Sequence, residues 1–197
     1  MVRQLEQLKA ALTHEAEPSS DFDLNFKTPS KFDAPKPAAV LMAFQEVRGE
    51  LCVILTKRAN GLRHHPGQIA LPGGKIEPSD ESAAAASLRE AHEEIGLLPS
   101  NVEVIGQLPL HTTVTGFSVQ PILGLVRTPF MPELDEGEVQ EVLYAPFSHV
   151  LDSSKYTVEG RIYAGQFRKY YTIPYGPHYI WGATARMTFG LARRIAM

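Results

Sequence analysis

The hydrophobic period changes several times along the chain, and each change marks an element. Leu5, Leu8 and Leu12 recur at i, i+3 and i+7 with Ala11 beside them, which predicts a short amphipathic helix ending before the polar stretch Glu15 to Asp23. Three prolines among scattered charges make 28–37 a linker or extended arm. The first strongly apolar run opens at Ala38, so the chain divides into an N-terminal helix and arm, 1–37, and a compact domain, 38–197. Ala38 to Glu46 and Leu51 to Lys57 read as two strands joined by the turn-like Val47-Arg48-Gly49-Glu50. Ser82 to Ile95, rich in Ala with Leu, Glu and Arg, reads as a helix stopped by Gly96. Further strands are expected at Val102 to Leu108, Thr113 to Val126 and Gln166 to Ile173, with helices near Pro146 to Leu151 and Thr184 to Ala196. Strands before and after a central helix predict an α/β fold layered around a mixed sheet.

Composition narrows the classes. With 44% hydrophobic and 21% charged residues the profile is that of a soluble globular domain, not a disordered or fibrous chain. A chain of 197 residues buries roughly 70% of its unfolded surface, so a metal would serve chemistry rather than hold the fold together. Nineteen Lys and Arg against 22 Asp and Glu leave a net charge of -3, with no basic field to recruit nucleic acid or an anionic membrane. The single cysteine, Cys52, lies in an apolar strand, cannot form an internal disulfide and fits a reducing compartment. No apolar stretch reaches the roughly 18 residues of a spanning helix. Glu6, Lys9 and Glu15 interrupt the place where a secretory signal would be apolar. Arg194 to Met197 is not a peroxisomal address, and a cytoplasmic location is the expectation.

The chemistry gathers on the central helix. With Glu90 set at zero, Glu93 falls at about 300° and Glu94 at about 40°, while Ala84, Leu88, Ala91 and Ile95 fall between about 100° and 160°. Acids and core therefore occupy separate faces. Three carboxylates at i, i+3 and i+4 repel one another unless a cation joins them, and oxygen ligands of this kind suit Mg²⁺ or Mn²⁺; a solvated acidic face is the plain alternative. Immediately upstream, Leu71-Pro72-Gly73-Gly74 turns the chain sharply, placing carbonyls within reach of a metal and amides within reach of a phosphate.

Joined to Arg89-Glu90-Ala91-His92-Glu93-Glu94-Ile95-Gly96-Leu97, the Gly73-Gly74 turn resembles the signature of the Nudix hydrolases, which split nucleoside diphosphates linked to another moiety. The resemblance implies an α/β/α sandwich with a central mixed sheet and a divalent-metal enzyme. Glu90 and Glu94 become the preferred ligands, Glu93 a ligand or base, Arg89 the residue that orients carboxylates, and the Gly74 carbonyl a further ligand. The loop before the helix is one residue longer than the general pattern: counting forward from Gly74 reaches Asp80, counting back from Arg89 reaches Glu81, and the two stay open. The family often draws another ligand or base from downstream, which makes Glu138, after the acidic loop Glu133 to Glu136, the candidate; a plain surface-loop role is the alternative.

Before the glycines, Ile54-Leu55-Thr56-Lys57-Arg58-Ala59 and the residues to Gly74 resemble the extra motif of the coenzyme A pyrophosphatase branch, with Arg58, Ala59, Arg63 and Gly67 at its intervals. Ile54 and Leu71 depart from it mildly. Ile180-Trp181-Gly182-Ala183-Thr184-Ala185-Arg186 is similar to that branch as well. The resemblance implies CoA or an acyl-CoA as substrate, with Lys57, Arg58, Arg63, His65, Gly67 and Gly73 as binding residues, and a homodimer. Physically, Lys57, Arg58, Arg63, His64 and His65 concentrate donors beside the acidic helix of an acidic protein, as a polyphosphate ligand requires. Alternatives remain: ADP-ribose or NADH as substrate, an idle nucleotide-binding module, arginines paired to helix acids, and histidines that only brace the loop. Trp181, Tyr170, Tyr171, Tyr175 and Tyr179 serve either to stack on adenine or to pack the core.

Overall fold

The computed structural model describes residues 2–25, 34–163 and 165–197. Helix α1 (Val2–Thr13) leads to a two-residue strand, β1 (Ser19–Ser20). The first long hairpin follows, β2 (Lys36–Val47) and β3 (Glu50–Arg58), turned at Arg48 and Gly49, both with positive φ. Short strands β4 (Ile69–Ala70) and β5 (Gly73–Lys75) precede α2 (Ala83–Ile95). Next come β6 (Val102–Gln107), β7 (His111–Thr112), β8 (Phe117–Val126), β9 (Val139–Pro146) and the one-turn helix α3 (Phe147–Val150). A second sheet, β10 (Thr157–Tyr163), β11 (Gln166–Tyr175) and β12 (His178–Trp181), hands the chain to α4 (Gly182–Ile195).

The first sheet is mixed: β2 pairs parallel with β8 and antiparallel with β3, and β9 runs antiparallel along the far side of β3. Both faces of its central strands are buried, so the side-chain period of two sends alternate residues into different layers. Leu41, Ala43 and Ile54 meet Ala91 and Ile95 of α2 on one face. Met42, Phe44, Val53 and Leu55 join Leu8 of α1 and Met187 and Leu191 of α4 on the other. This is the α/β/α sandwich expected from the sequence.

Hairpin, α2, α3 and α4 form where the pattern placed them. The strand expected over 113–126 begins only at Phe117, because Thr113 to Gly116 close a turn in which the Thr113 Oγ1 accepts from the Phe117 amide. The sequence pattern gives no sign of β9, β10 and β12, nor of the short strands β1, β4, β5 and β7. The arm read over 28–37 lies outside the described residues up to 33. The N-terminal helix packs into the common core, burying Leu8 and Ala11, while β1 pairs parallel with β7. There His111, wholly buried, lies between Ser19 Oγ at 2.9 Å and Asp21 Oδ1 at 3.2 Å and pins this segment down. Cys52 is buried on β3, as its apolar setting predicts. Among the described residues no helix is long and apolar enough to cross a membrane.

Candidate active site

Helix α2 owes its position to its two ends. Ser82 caps the N-terminus, its hydroxyl accepting from the Ala85 amide, and Gly96 ends the helix in the left-handed conformation at φ 71°. Ahead of the helix, β5 lies antiparallel to β2, with Gly73 opposite Val40 and Gly74 opposite Ala39. Two glycines are required there for separate reasons. Gly73 holds φ at 150°, and a Cβ on it would fall 2.4 Å from the Ala39 carbonyl oxygen. At Gly74 a Cβ would fall 2.5 Å from Glu90 Oε1, so the Glu90 carboxylate rests directly against this backbone. The Gly73 backbone in turn lies near enough to Glu94 to favour its charged form.

Arg89 gathers the acids. Its Nε and Nη2 donate to the two oxygens of Asp80 at 3.0 Å each, Nη2 also donates to the Lys75 carbonyl, and Nη1 donates to Glu90 at 3.1 Å and Glu93 at 2.9 Å. Arg89 thus contacts three carboxylates, and of the two loop acids it is Asp80 that reaches it, while Glu81 is exposed. The guanidinium holds the Asp80 carboxyl below the usual carboxylate range, and Asp80 in return raises the Arg89 pKa. Asp80 is the partner that spacing alone could not select. Its signal was the mismatch in the loop count.

Glu94 departs from the helical projection. The wheel puts it on the acidic face, but it is only 4% exposed because β5 closes over that side of α2. Burial, then the neighbouring Glu90 charge, pushes its pKa up to about 8, against the pull of Arg58. Glu94 Oε2 is buried with no hydrogen-bond partner among the described residues. Glu90 is raised too, by desolvation first. Two crowded carboxyls, one with an orphaned oxygen, form a donor set that a hard divalent cation fits. As they stand, no three carboxylate, imidazole or thiol side chains among the described residues converge into a ready cage, and Glu93 is committed to Arg89. Glu138 lies on the neighbouring loop, near enough for its charge to act on both Glu90 and Glu94. That loop is tied to α2 by the Asp135 amide donating to the Glu94 carbonyl.

The cationic segment leaves the end of β3. The Arg58 amide bonds the Gln68 carbonyl, the Gly67 amide bonds the Arg58 carbonyl, and the Ala59 amide bonds the Glu138 carbonyl, so 59–67 projects as a closed loop beside the acids. Gly67, at φ 69°, forms the base of this loop, a backbone role. Arg63 and His64 stand exposed on it. The His65 pKa is lowered by desolvation and by the charges of Arg58, His64 and Arg161. Lys57 faces its cross-strand partner Glu141, 4.0 Å away, and is thereby partly turned from the acids of α2. The aromatics divide. Tyr171 and Tyr175 pack against the core, Tyr171 stacking on Phe189 at 4.4 Å, while Trp181 and Tyr170 meet at 5.4 Å beneath the Arg161 guanidinium.

Residues 35–162 match the NUDIX domain family. A Nudix hydrolase NudL from Enterobacter sp. (strain 638), named as uncharacterized, is 39% identical over 162 residues, covering 82% of this chain and 84% of its own. The protein of the same name from Escherichia coli (strain K12) is 36% identical, with 82% of each chain covered. Among solved structures, a MutT/nudix family protein from Enterococcus faecalis superposes with a TM-score of 0.52 at 16% identity, covering 87% of this chain and 65% of that one. The MutT protein from Methanosarcina mazei gives 0.50 at 23%, covering 83% and 97%, and both likenesses concern the fold. The arginine-bound acids of α2, the glycines of β5 against them and the match over 35–162 lead to one conclusion: the chain belongs to the NUDIX domain family and is a Nudix hydrolase.

Proposed function

We propose that this Nudix hydrolase cleaves the pyrophosphate of coenzyme A or an acyl-CoA, giving adenosine 3′,5′-bisphosphate and 4′-phosphopantetheine or its acyl form. The observation that carries the reading is the end of β3 with its loop, 58–67: Arg58 and Arg63 keep the spacing of the CoA-branch motif, and Arg58 stands close enough to act electrostatically on Glu94. A cationic loop facing buried carboxylates suits a ligand with several phosphates. CoA carries one more phosphate group than ADP-ribose does, at its 3′ position, and Arg63, exposed on the loop and without an ion pair among the described residues, is suited to it.

The chain's own residues then divide the work. Glu90 and Glu94, with the Gly74 carbonyl, would hold Mg²⁺ or Mn²⁺, which when bound neutralises the pyrophosphate and lowers the pKa of a water. Arg89 keeps Glu90 and Glu93 in place, and Asp80 keeps Arg89 in place. Glu93 or Glu138 accepts the proton of the attacking water. The water oxygen joins one phosphorus, the bridging P–O bond breaks, and the other phosphate leaves with the bridging oxygen. Arg58, Arg63 and His65 offer donors to phosphate oxygens, Lys57, held by Glu141, adds positive charge behind them, Gly73 lets β5 lie close against β2 and α2, and Gly67 keeps the loop closed. The test is chromatographic: CoA, acyl-CoAs, ADP-ribose and NADH are incubated with the protein and Mg²⁺ or Mn²⁺. CoA or an acyl-CoA should be hydrolysed fastest. Preference for ADP-ribose or NADH refutes the assignment.

A further inference from the structure

We infer that β10 is a self-complementary edge through which two copies of this chain join antiparallel about Gly160. β10 has β11 on one side, and among the described residues no strand pairs with the other. Which of its groups face that open side follows from Asn25. The Asn25 Oδ1 accepts from the Lys169 amide at 2.8 Å and its Nδ2 donates to the Lys169 carbonyl at 3.0 Å, so the main chain of Lys169 is turned away from β10. Gly160, paired with Lys169, therefore stands in a non-hydrogen-bonded pair. Alternation along an antiparallel ladder then turns the N–H and C=O groups of Val158, Gly160 and Ile162 to the open edge.

The side chains match when a second β10 is laid against this edge with Gly160 opposite Gly160. Glu159 then faces Arg161 of the second copy, and Arg161 faces its Glu159, in the closely spaced non-hydrogen-bonded pairs. Val158 faces Ile162 of the second copy, and Ile162 its Val158. Gly160 meets its counterpart once, on the axis, and the two kinds of flanking pair are favourable and each occurs twice, as a two-fold axis demands. The same strand leaves Ile162 76% and Val158 49% exposed, and the Phe167 ring, 65% exposed, folds over Gly160, where a Cβ would lie 2.3 Å from it. A shift of the pairing by one residue would set apolar against charged side chains. Arg161 also lies 4.1 Å over Trp181, which holds its guanidinium on the face where Glu159 projects.

The test uses the full chain in sedimentation equilibrium across a wide concentration range. The wild type should dimerise. Arg161→Glu and Glu159→Arg each place two like-charge pairs across the axis and should weaken the dimer roughly tenfold to a hundredfold. Mixing the two variants restores both pairs, so the mixture should form heterodimers as tightly as the wild type, and the double variant E159R/R161E should dimerise again. Val158→Pro removes an outward donor and none of those directed to β11, and should leave a folded monomer. A monomeric wild type, a dimer indifferent to both reversals, or a mixture that fails to associate would each overturn the inference.

Discussion

Glu94→Gln should stabilise the metal-free protein while removing its activity. In the folded chain the Glu94 carboxyl titrates at about 8 instead of an ordinary 4.5, with burial as the first cause. The folded state therefore holds this proton more tightly than the unfolded state. The stability linked to it is complete below pH 4.5 and is lost as the pH rises from there through about 8. At pH 7 the unfolded wild type gains by ionising Glu94, and the 2.5 pH units above 4.5 correspond to about 3 kcal/mol. Glutamine has the shape of the protonated acid and ionises in neither state. Its amide brings a donor into a buried site, which costs about 1 kcal/mol, so a net gain of about 2 kcal/mol remains. For a chain of this size that is a rise in Tm of roughly 4–8 °C. Thermal melts in a chelator at pH 5 and pH 7, beside turnover in Mg²⁺, measure both effects. The gain should shrink toward zero at the lower pH, and kcat should fall by at least about a hundredfold. A variant with near-normal turnover refutes the ligand role. One no more stable than wild type at pH 7 refutes the burial argument, which the activity measurement does not touch.

Arg63→Ala should lower kcat/KM on CoA by roughly ten- to a hundredfold and leave 3′-dephospho-CoA nearly unaffected, since a charge-assisted hydrogen bond to the 3′-phosphate is worth about 1.5–3 kcal/mol; equal losses on both substrates would move Arg63 to the pyrophosphate. Gly74→Ala sets a methyl group 2.5 Å from Glu90 Oε1 and should displace that carboxylate. Calorimetric titration with Mn²⁺ should show affinity reduced by about tenfold or more, and unchanged affinity removes Glu90 from the ligand set. Asp80→Asn leaves Arg89 with a neutral partner, so kcat should fall by about tenfold with KM little changed. The same substitution at exposed Glu81 should be silent, and the reverse result would reassign the clamp.

Much of the site was legible because its determinants are local. The caps at Ser82 and Gly96, the spacing of Glu90, Glu93 and Glu94, and the two glycines before them sit within one stretch of chain, where helical periodicity and turn chemistry act directly. The surroundings of those residues were not legible. A helical wheel counts angles and knows nothing of β5, so it put Glu94 on a wet face when a strand folded over it leaves it 4% exposed. Asp80 and Glu81 are neighbours on a loop, and only the closed fold shows which one reaches Arg89.

The strands that went unread fail for a related reason. In β9, Val139, Leu143 and Ala145 are buried, but Gln140 and Glu141 follow an acidic loop and mask the alternation until Val142 pairs with Thr56 and Leu143 with Leu55. In β10, Thr157 to Ile162 are all exposed, so there is no buried face to produce a two-residue rhythm. What orders β10 is its ladder to β11, formed across the turn at Gly165, and no window of sequence contains that ladder. A strand with no apolar face turned inward gains little from the core and depends on its edges. That is why β10 is silent as a pattern, and why its outer edge, alternating Val158, Glu159, Gly160, Arg161 and Ile162 symmetrically about a glycine, reads instead as one half of a pair.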